Sequence, residues 1–292
     1  MPITFLECAL NGPWSQARQP LMPITPDALI AEGIACARAG AAVIHLHVYD
    51  PATGLQWENP QAYARVIEGI RAVEDVIVYP TLPLAGSPET PSPMTPESRF
   101  ATVETLARQG LLEWAVIDPG STQLSAFTDI PNGPPGFLYR NSEEEIRHGL
   151  ALARRFNFHP SYAIYEPGFL RLGAALAIGV ACPMPLYRFM FSDGFTFGFP
   201  PRAYALEAYL ALLANCHPGA LWMIAGLQVD LDPIFEATLA LGGHIRVGLE
   251  DAPFGCPLSN RAQTEAAAAR ILRAGHSLGT APELRAKLRG SL

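Results

Sequence analysis

The chain has 292 residues, of which 49% are hydrophobic, and its formal net charge is -7. This length is enough to bury a large core in one domain, and the lack of a basic block argues against a nucleic-acid or anionic-membrane partner. The sequence has no signal-peptide pattern and no apolar stretch long enough to span a bilayer, so we expect a cytoplasmic protein. Lysine occurs once, as Lys287, which argues against Schiff-base chemistry in a buried site.

Strand-like and helix-like segments alternate along the chain. Apolar runs predict eight strands, at 3–10, 43–48, 76–79, 115–117, 162–165, 186–191, 221–225 and 244–249. Thr25, Asn59 and Thr95 each precede a proline and a helical pattern, which is typical of helix starts. Later helices are expected from 142, around 170–177, and from about 201, 232 and 259. The eight repeats favour an α/β fold, a single (β/α)8 TIM barrel domain over residues 1–292 with a short C-terminal extension.

Three connections are much longer than the others. They follow the third, fourth and sixth strands and span 81–94, 118–140 and 192–200. Enzymes with this barrel build their sites from the loops at the C-terminal ends of the strands. We therefore expect the functional site at that end of the barrel, with ordinary surface loops as the alternative.

The second strand ends in a histidine pair. Because side chains alternate along a strand, His45 and His47 lie on the same face and point toward one place. One imidazole in a core is usually structural, but two at the end of a strand, followed by Asp50 and a loop, indicate a metal site. Two ligands do not complete such a site, so a third must come from another strand.

The eighth strand supplies the candidate third ligand. Alternation places His244, Arg246, Gly248 and Glu250 on one face, with Glu250 at the C-terminal end. In a closed barrel the first strand is flanked by the second and the eighth, so Glu250 can approach the two histidines. Two histidines and a glutamate leave an open position, as in catalytic zinc sites. A salt bridge from Glu250 to a surface arginine is the alternative, and His244 is interpreted as structural.

Arg246 lies deeper on the same face and would be costly to bury without a partner. Glu250 and Asp251 are its natural partners. A coupled arginine and aspartate beside a metal could take a proton from a carbon acid. An ion pair that only fills the barrel explains the spacing equally well.

The chain resembles the β-keto acid cleavage enzymes from about Leu6 to the helix after Ser259. The resemblance is carried by Ala9-Leu10-Asn11-Gly12, Thr25-Pro26, His45-Leu46-His47-Val48 with Asp50-Pro51, Met94-Thr95-Pro96-Glu97, and the segment 242–251 with the sequence Gly-Gly-His-Ile-Arg-Val-Gly-Leu-Glu-Asp. The His-x-His motif and the Gly-Leu-Glu-Asp motif are specific when they occur together, and either motif alone would be a weak signal.

The resemblance implies a zinc-dependent barrel enzyme, usually a homotetramer. Such an enzyme condenses a β-keto acid with acetyl-CoA and releases acetoacetate and a new acyl-CoA by retro-Claisen cleavage. By motif match His45, His47 and Glu250 would bind Zn2+, and Arg246 with Asp251 would remove the α-proton of the substrate.

The substrate loops depart from the family pattern. Of the polar turn that usually follows the third strand, Thr81 alone remains, and the fourth strand ends in an acid and a proline before Gly120 and Ser121. Trp14 stands where members with an amino-substituted substrate have an acidic residue. Glu166 matches an acidic position that faces the substrate, with capping of the next helix as its alternative. The candidate substrate contacts are therefore Thr81, Ser121, Glu166 and Trp14.

The loop after the sixth strand is rich in phenylalanine, which favours an uncharged apolar or aromatic acyl chain. Two other functions stay open at this point. One keeps the same His/His/Glu site for a hydrolase or an iron enzyme. The other is a relative without catalytic activity that binds an acid.

Overall fold

The computed structural model describes residues 1–88, 90 and 94–289, so part of the predicted 81–94 loop lies outside the described residues. Its strands are β1 Ile3–Ala9, β2 Val43–Leu46, β3 Ile77–Pro80, β4 Trp114–Val116, β5 Thr122–Leu124, β6 Phe137–Tyr139, β7 His159–Ile164, β8 Leu186–Phe191, β9 Trp222–Gly226, β10 His244–Val247 and β11 Ser277–Gly279. Its helices are α1 Pro26–Arg38, α2 Pro60–Arg71, α3 Pro96–Arg99, α4 Ala101–Arg108, α5 Glu143–Phe156, α6 Pro167–Val180, α7 Ala203–Cys216, α8 Asp232–Ala240, α9 Asn260–Arg273 and α10 Ala281–Arg289.

Eight parallel strands form the barrel, in the order β3-β2-β1-β10-β9-β8-β7-β4. The two strands at the ends of this order, β3 and β4, contact each other and nearly close the barrel. Helices alternate with the strands along the chain. The predicted (β/α)8 TIM barrel is confirmed, and the predicted short C-terminal extension contains α10. None of the helices in the described residues is long and apolar enough to cross a membrane.

The helix starts follow from local sequence chemistry. The side chains of Thr25, Asn59 and Ser142 accept hydrogen bonds from backbone N–H groups in the first turns of α1, α2 and α5. These N–H groups have no partner within the helix, so each cap satisfies a donor that would otherwise need water. The helix starts predicted at these three residues are confirmed.

β1 joins the two parts of the site. Glu7 of β1 pairs with Arg246 of β10 on one side, and Ala9 pairs with His45 of β2 on the other. Because parallel strands end at the same edge of a sheet, the residues that follow β2 and β10 meet above the end of β1. The pairing order expected for a closed barrel is therefore observed where the histidine pair needs it.

The last barrel strand is shorter than its apolar pattern predicts. β10 ends at Val247, because Gly248 adopts a φ of 131° and begins a turn that includes Glu250 and Asp251. A Cβ atom at Gly248 would lie 2.1 Å from the carbonyl oxygen of Ala9, so no other residue fits here without a backbone shift. The predicted strand over 244–249, and the alternation used to orient Glu250, are wrong beyond Val247.

Two short features were not predicted. The 118–140 connection contains an antiparallel hairpin in which Thr122 pairs with Tyr139, and β11 adds to the outer end of β1 at Ile3. The strands of both features have three residues each. Three residues are too few to show a periodicity in the sequence, so length and composition alone suggested a loop.

His244 is buried at the start of β10, at the opposite end of the strand from the turn. Its Nδ1 accepts a long hydrogen bond from the backbone N–H of Phe5 at 3.4 Å, and the two rings are in edge contact. Burial, with a smaller effect of Lys287, lowers the pKa of His244 to about 3. The folded protein therefore holds this imidazole neutral at pH values where an unfolded chain protonates it.

This difference predicts a pH-dependent stability. Since the pKa of His244 is lower in the folded state, its contribution to the free energy of unfolding is complete above pH ~6.5. This contribution is lost as the pH falls toward 3. Between pH 7 and pH 5 we expect the free energy of unfolding of wild type to fall by about 2 kcal/mol more than that of His244→Asn. Urea denaturation at both pH values measures it. The two proteins should change in parallel between pH 7 and pH 8, and equal losses down to pH 5 would contradict the assignment.

Candidate metal and proton-transfer site

The three predicted metal ligands meet at the C-terminal end of the barrel. His45 Nε2 lies 3.4 Å and His47 Nε2 lies 3.6 Å from Glu250 Oε2. The three ligand atoms lie within 4.8 Å of one another, and all three side chains are buried. His47 Nε2 and Glu250 Oε2 have no hydrogen-bond partner. Buried polar atoms without a partner are costly, and a cation between them would satisfy both, so these residues fit a divalent metal.

Neighbouring groups hold His47 in position. The backbone N–H of His47 donates to Asn11 Oδ1 at 2.9 Å, and the Asn11 amide donates to the His47 carbonyl at 2.8 Å. His47 Nδ1 lies 2.9 Å from Gln56 Oε1. This contact makes Nδ1 the protonated nitrogen and leaves Nε2 as the lone pair for a metal, as is usual for metal-binding histidines.

The charge states of the ligands suit a cation. Burial lowers the pKa of His45 well below its usual value, and the charges of Arg246 and Arg188 lower it further. Burial raises the pKa of Glu250, but Arg246 and the two imidazoles outweigh it and hold that pKa well below its usual value. A neutral imidazole and an ionised carboxylate are the forms that bind metals.

Arg246 is completely buried and contacts three carboxylates. Its Nη2 lies 2.7 Å from Asp251 Oδ1 and 2.9 Å from Glu250 Oε1, and its Nη1 lies 3.2 Å from Glu7 Oε1. Glu7 also accepts a hydrogen bond from the hydroxyl of Tyr79 at 2.6 Å. The predicted partners Glu250 and Asp251 are confirmed, while Glu7 was not predicted.

Asp251 is fixed beside the metal cluster by the turn after β10. Its Oδ2 accepts from the backbone N–H of Gly226 at 3.0 Å, and both of its oxygens accept from Arg246 Nε. Burial raises the pKa of Asp251, Arg246 opposes this, and the net direction is upward. A carboxylate with a raised pKa is a stronger base than an ordinary aspartate.

A cavity opens beside the cluster at this end of the barrel. His45, His47 and Glu250 line it together with Arg188 and Asp118. Much of the remaining wall is aromatic or aliphatic, contributed by Trp14, Leu84, Phe137, Tyr139, Tyr165 and Phe195. A metal cluster and an apolar wall around one cavity form a site for a small organic molecule, and Arg246 connects Glu250 of this wall to Asp251 behind it.

Comparisons with known proteins show which family the chain belongs to. The sequence profile of the β-keto acid cleavage enzymes matches residues 4–289. The chain belongs to this family. It is therefore an enzyme of the acyl-transferring type that acts on β-keto acids.

Individual relatives are distant in sequence but cover most of the chain. A 3-dehydrocarnitine:acetyl-CoA trimethylamine transferase from Rhizobium meliloti is 26% identical, over 85% of this chain and 82% of the relative. A 3-keto-5-aminohexanoate cleavage enzyme from Fusobacterium nucleatum is 23% identical, over 81% of this chain and 78% of the relative. The apo structure of ObcA shares the fold with a TM-score of 0.70 at 18% identity, and the match covers 94% of this chain and 66% of ObcA.

Two of the four predicted substrate contacts of this family member line the cavity. Trp14 stacks on Phe195 with ring centroids 6.2 Å apart, and its Nε1 donates to the carbonyl of Glu250 at 2.8 Å. Thr81 is buried, and its hydroxyl makes one long contact with the carbonyl of Leu82 at 3.4 Å. Both side chains are in place to contact a ligand.

The other two predicted contacts support the loops instead. The hydroxyl of Ser121 bonds to the backbone of Asn141, and Ser121 does not line the cavity. Glu166 Oε1 accepts from the hydroxyl of Thr122 at 2.9 Å and from the N–H of Gly198 at 3.1 Å. It therefore holds the hairpin and the loop after β8 together. The alternative that its side chain caps α6 is wrong, since it makes no capping hydrogen bond.

Several lining residues were missed by sequence reasoning. Arg188 stands within the apolar strand β8, and a charged residue inside such a run was the signal that could have found it. Asp118 was noted as a departure from the family but not as a site residue. Its oxygens accept from the hydroxyl of Tyr139 at 2.6 Å and from the N–H of Ala163 at 3.1 Å.

The geometry predicts the effect of removing a ligand. His47→Ala should lose most of its bound metal and all activity, because two ligands do not hold a metal in an open site. Metal content of purified protein and turnover measure this. His244→Asn is the matched control, since it also removes a buried imidazole from the barrel but leaves the cluster intact. Normal metal content in His47→Ala would contradict the assignment.

Proposed function

We propose that this protein is a zinc-dependent enzyme that condenses a β-keto acid with an uncharged apolar or aromatic acyl chain with acetyl-CoA, and releases acetoacetate and a new acyl-CoA. The observation that carries the proposal is that Arg246 contacts both Asp251 and Glu250, so that the candidate base lies next to the cluster of His45, His47 and Glu250 in a β-keto acid cleavage enzyme. The names of relatives that use acetyl-CoA support the choice of co-substrate.

The residues divide the reaction between them. A divalent metal held by His45, His47 and Glu250 would polarise the keto oxygen and stabilise the enolate. Asp251 takes a proton from C2 of the β-keto acid, and the C–H electron pair passes into the enolate. Arg246 fixes both oxygens of Asp251 through Nε, so the base keeps its orientation when it is protonated.

Carbon–carbon bond formation and cleavage follow from this proton transfer. The enolate carbon attacks the thioester carbonyl of acetyl-CoA, and the CoA thiolate leaves. The thiolate then attacks the original keto carbon, and the retro-Claisen step breaks the bond between that carbon and C2. The electron pair of the broken bond returns to C2, which takes a proton, so the products are acetoacetate and the new acyl-CoA.

The cavity wall supports an uncharged acyl chain. The ring of Trp14 is stacked on that of Phe195, and Phe197 packs edge-on against Tyr165. Asp118 lines this wall, and each of its oxygens accepts one hydrogen bond, from Tyr139 or from Ala163. Arg188 lines the same wall, so an ammonium group would lose water and meet a like charge there.

Other features of the proposal come from the sequence or from the family resemblance and stay predictions. They are the identity of the metal as zinc, the homotetramer, the cytoplasmic location and the single domain over 1–292. Metal analysis of purified protein separates zinc from iron, and turnover without acetyl-CoA would favour a hydrolase.

The proton-transfer pair predicts a specific defect. Asp251→Asn should keep the metal but lower kcat by about 10²- to 10⁴-fold, the usual contribution of a general base. The metal ligands do not include Asp251, so metal content and the melting temperature report whether the fold survives. Normal turnover by a correctly folded Asp251→Asn would rule out the pair as the base.

The apolar wall predicts substrate preference. With acetyl-CoA and zinc, a β-keto acid carrying a tert-butyl group should give a higher kcat/KM than its isostere with a trimethylammonium group, by roughly tenfold or more. Phe195→Ala should reduce kcat/KM for a phenyl-substituted acid more than for 3-oxopentanoate, because the smaller chain does not reach that ring. Preference for the acid with the trimethylammonium group would contradict an uncharged acyl chain and indicate cation–π binding by the aromatic wall. No acetoacetate from any acid of a broad panel would remove the proposed function.

A further inference from the structure

The guanidinium group of Arg188 is buried in the cavity wall without a charged partner. Its side chain is 3% exposed and lines the same cavity as the metal cluster. Nη2 donates to the carbonyl of Ser161 at 3.3 Å, and Nε is buried without a hydrogen-bond partner. Within residues 1–88, 90 and 94–289, no carboxylate forms an ion pair with Arg188.

Two acidic groups are close enough to act on Arg188 without pairing with it. Asp118 accepts hydrogen bonds from Tyr139 and Ala163, as described above. Glu7 uses Oε1 for Tyr79 and Arg246, and its Oε2 has no hydrogen-bond partner among the described residues. Both acids raise the pKa of Arg188 against the effect of burial, but neither forms the short, paired hydrogen bonds that guanidinium groups make with carboxylates.

A buried cation without a counter-ion is unfavourable unless something completes it. Arg246 is neutralised within this barrel, since it forms ion pairs with three carboxylates. Arginine is always charged and cannot escape the cost by losing its proton. Because Arg188 also lines the cavity, an anion that enters the cavity can supply the missing partner.

We propose that Arg188 binds the carboxylate of the β-keto acid. This inference rests on the proposed function, and it names the residue that replaces the polar turn after β3, from which Thr81 alone remains. The carboxylate and the keto group of such an acid are separated by C2 alone. Binding one at Arg188 and the other at the metal cluster fixes C2, the atom that Asp251 must deprotonate.

Arg188 also protects the substrate from decarboxylation. When a β-keto acid loses CO2, the bond between C1 and C2 breaks, its electron pair stays on C2 as an enolate, and neutral CO2 leaves. The negative charge moves away from C1 in this step. A cation at the carboxylate stabilises the acid more than the transition state, so it slows the loss of CO2.

A binding experiment tests the carboxylate contact without turnover. The probes are 3-hydroxy-4-phenylbutanoate, which cannot decarboxylate as a β-keto acid does, and its primary amide, titrated into zinc-loaded protein by calorimetry. Wild type should bind the acid about 10- to 100-fold more tightly than the amide, as expected for a charge-assisted pair. Arg188→Gln should remove this preference, and Arg188→Lys should keep part of it, because lysine retains the charge but not the planar fork.

Arg99 offers a matched control. It is also buried and has two guanidinium nitrogens without hydrogen-bond partners, but it does not line the cavity. Arg99→Gln should leave the ratio of acid to amide affinity unchanged. If Arg188→Gln fails to fold, the drop in this ratio in Arg188→Lys decides the question, since that variant keeps the buried charge.

A kinetic experiment gives a second readout. With a β-keto acid and no acetyl-CoA, Arg188→Gln should release CO2 faster than wild type, which a purely structural role of Arg188 does not explain. An unchanged acid preference in a folded Arg188→Gln with wild-type metal content would overturn the inference. Because the calorimetry needs no acetyl-CoA, it can succeed when the substrate panel fails, and the two proposals are refuted by different results.

Discussion

The site depends on the buried positive charge of Arg246. Transferring a guanidinium group from water to the barrel interior costs on the order of several kcal/mol, so its partners must be close and well oriented. Glu7, Glu250 and Asp251 supply them from β1 and from the turn after β10. One arginine thereby orients a metal ligand through one carboxylate and the candidate base through another.

This arrangement requires a backbone that a regular strand cannot provide. In an extended strand, Glu250 and Asp251 would point to opposite faces, and one arginine could not contact both. The turn at Gly248 changes their directions, with a close approach to Ala9 that leaves no space for a side chain. Gly12 is similar, because a Cβ there would lie 2.5 Å from Cγ of Glu250. The two glycines therefore let the chain pack tightly around the third metal ligand.

Sequence patterns predicted the barrel and the metal cluster because both depend on neighbouring elements. Periodicity located the strands, proline and threonine located the helix starts, and the strand order of a barrel brought His45 and Glu250 together. The position of Glu250 was inferred from an alternation that ends at Val247, so the contact was correct although its predicted geometry was not. Glu7 was missed because its contacts join strands that are far apart in sequence. Arg188 was missed because the apolar residues around it in β8 predict a strand and do not show that its side chain lines a cavity.

The two interior arginines differ in a way that residue type does not reveal. Arg246 is neutralised by the chain itself, so its charge serves to hold Glu250 and Asp251 in place. Arg188 donates a hydrogen bond to the carbonyl of Ser161 and lines the cavity, so we propose that its charge binds a ligand. In the proposed function, the metal cluster and Asp251 act at the keto group and C2, whereas Arg188 and the aromatic wall bind the two ends of the substrate. This separation explains how the reactive end of the site can retain the family pattern while the loops around it change.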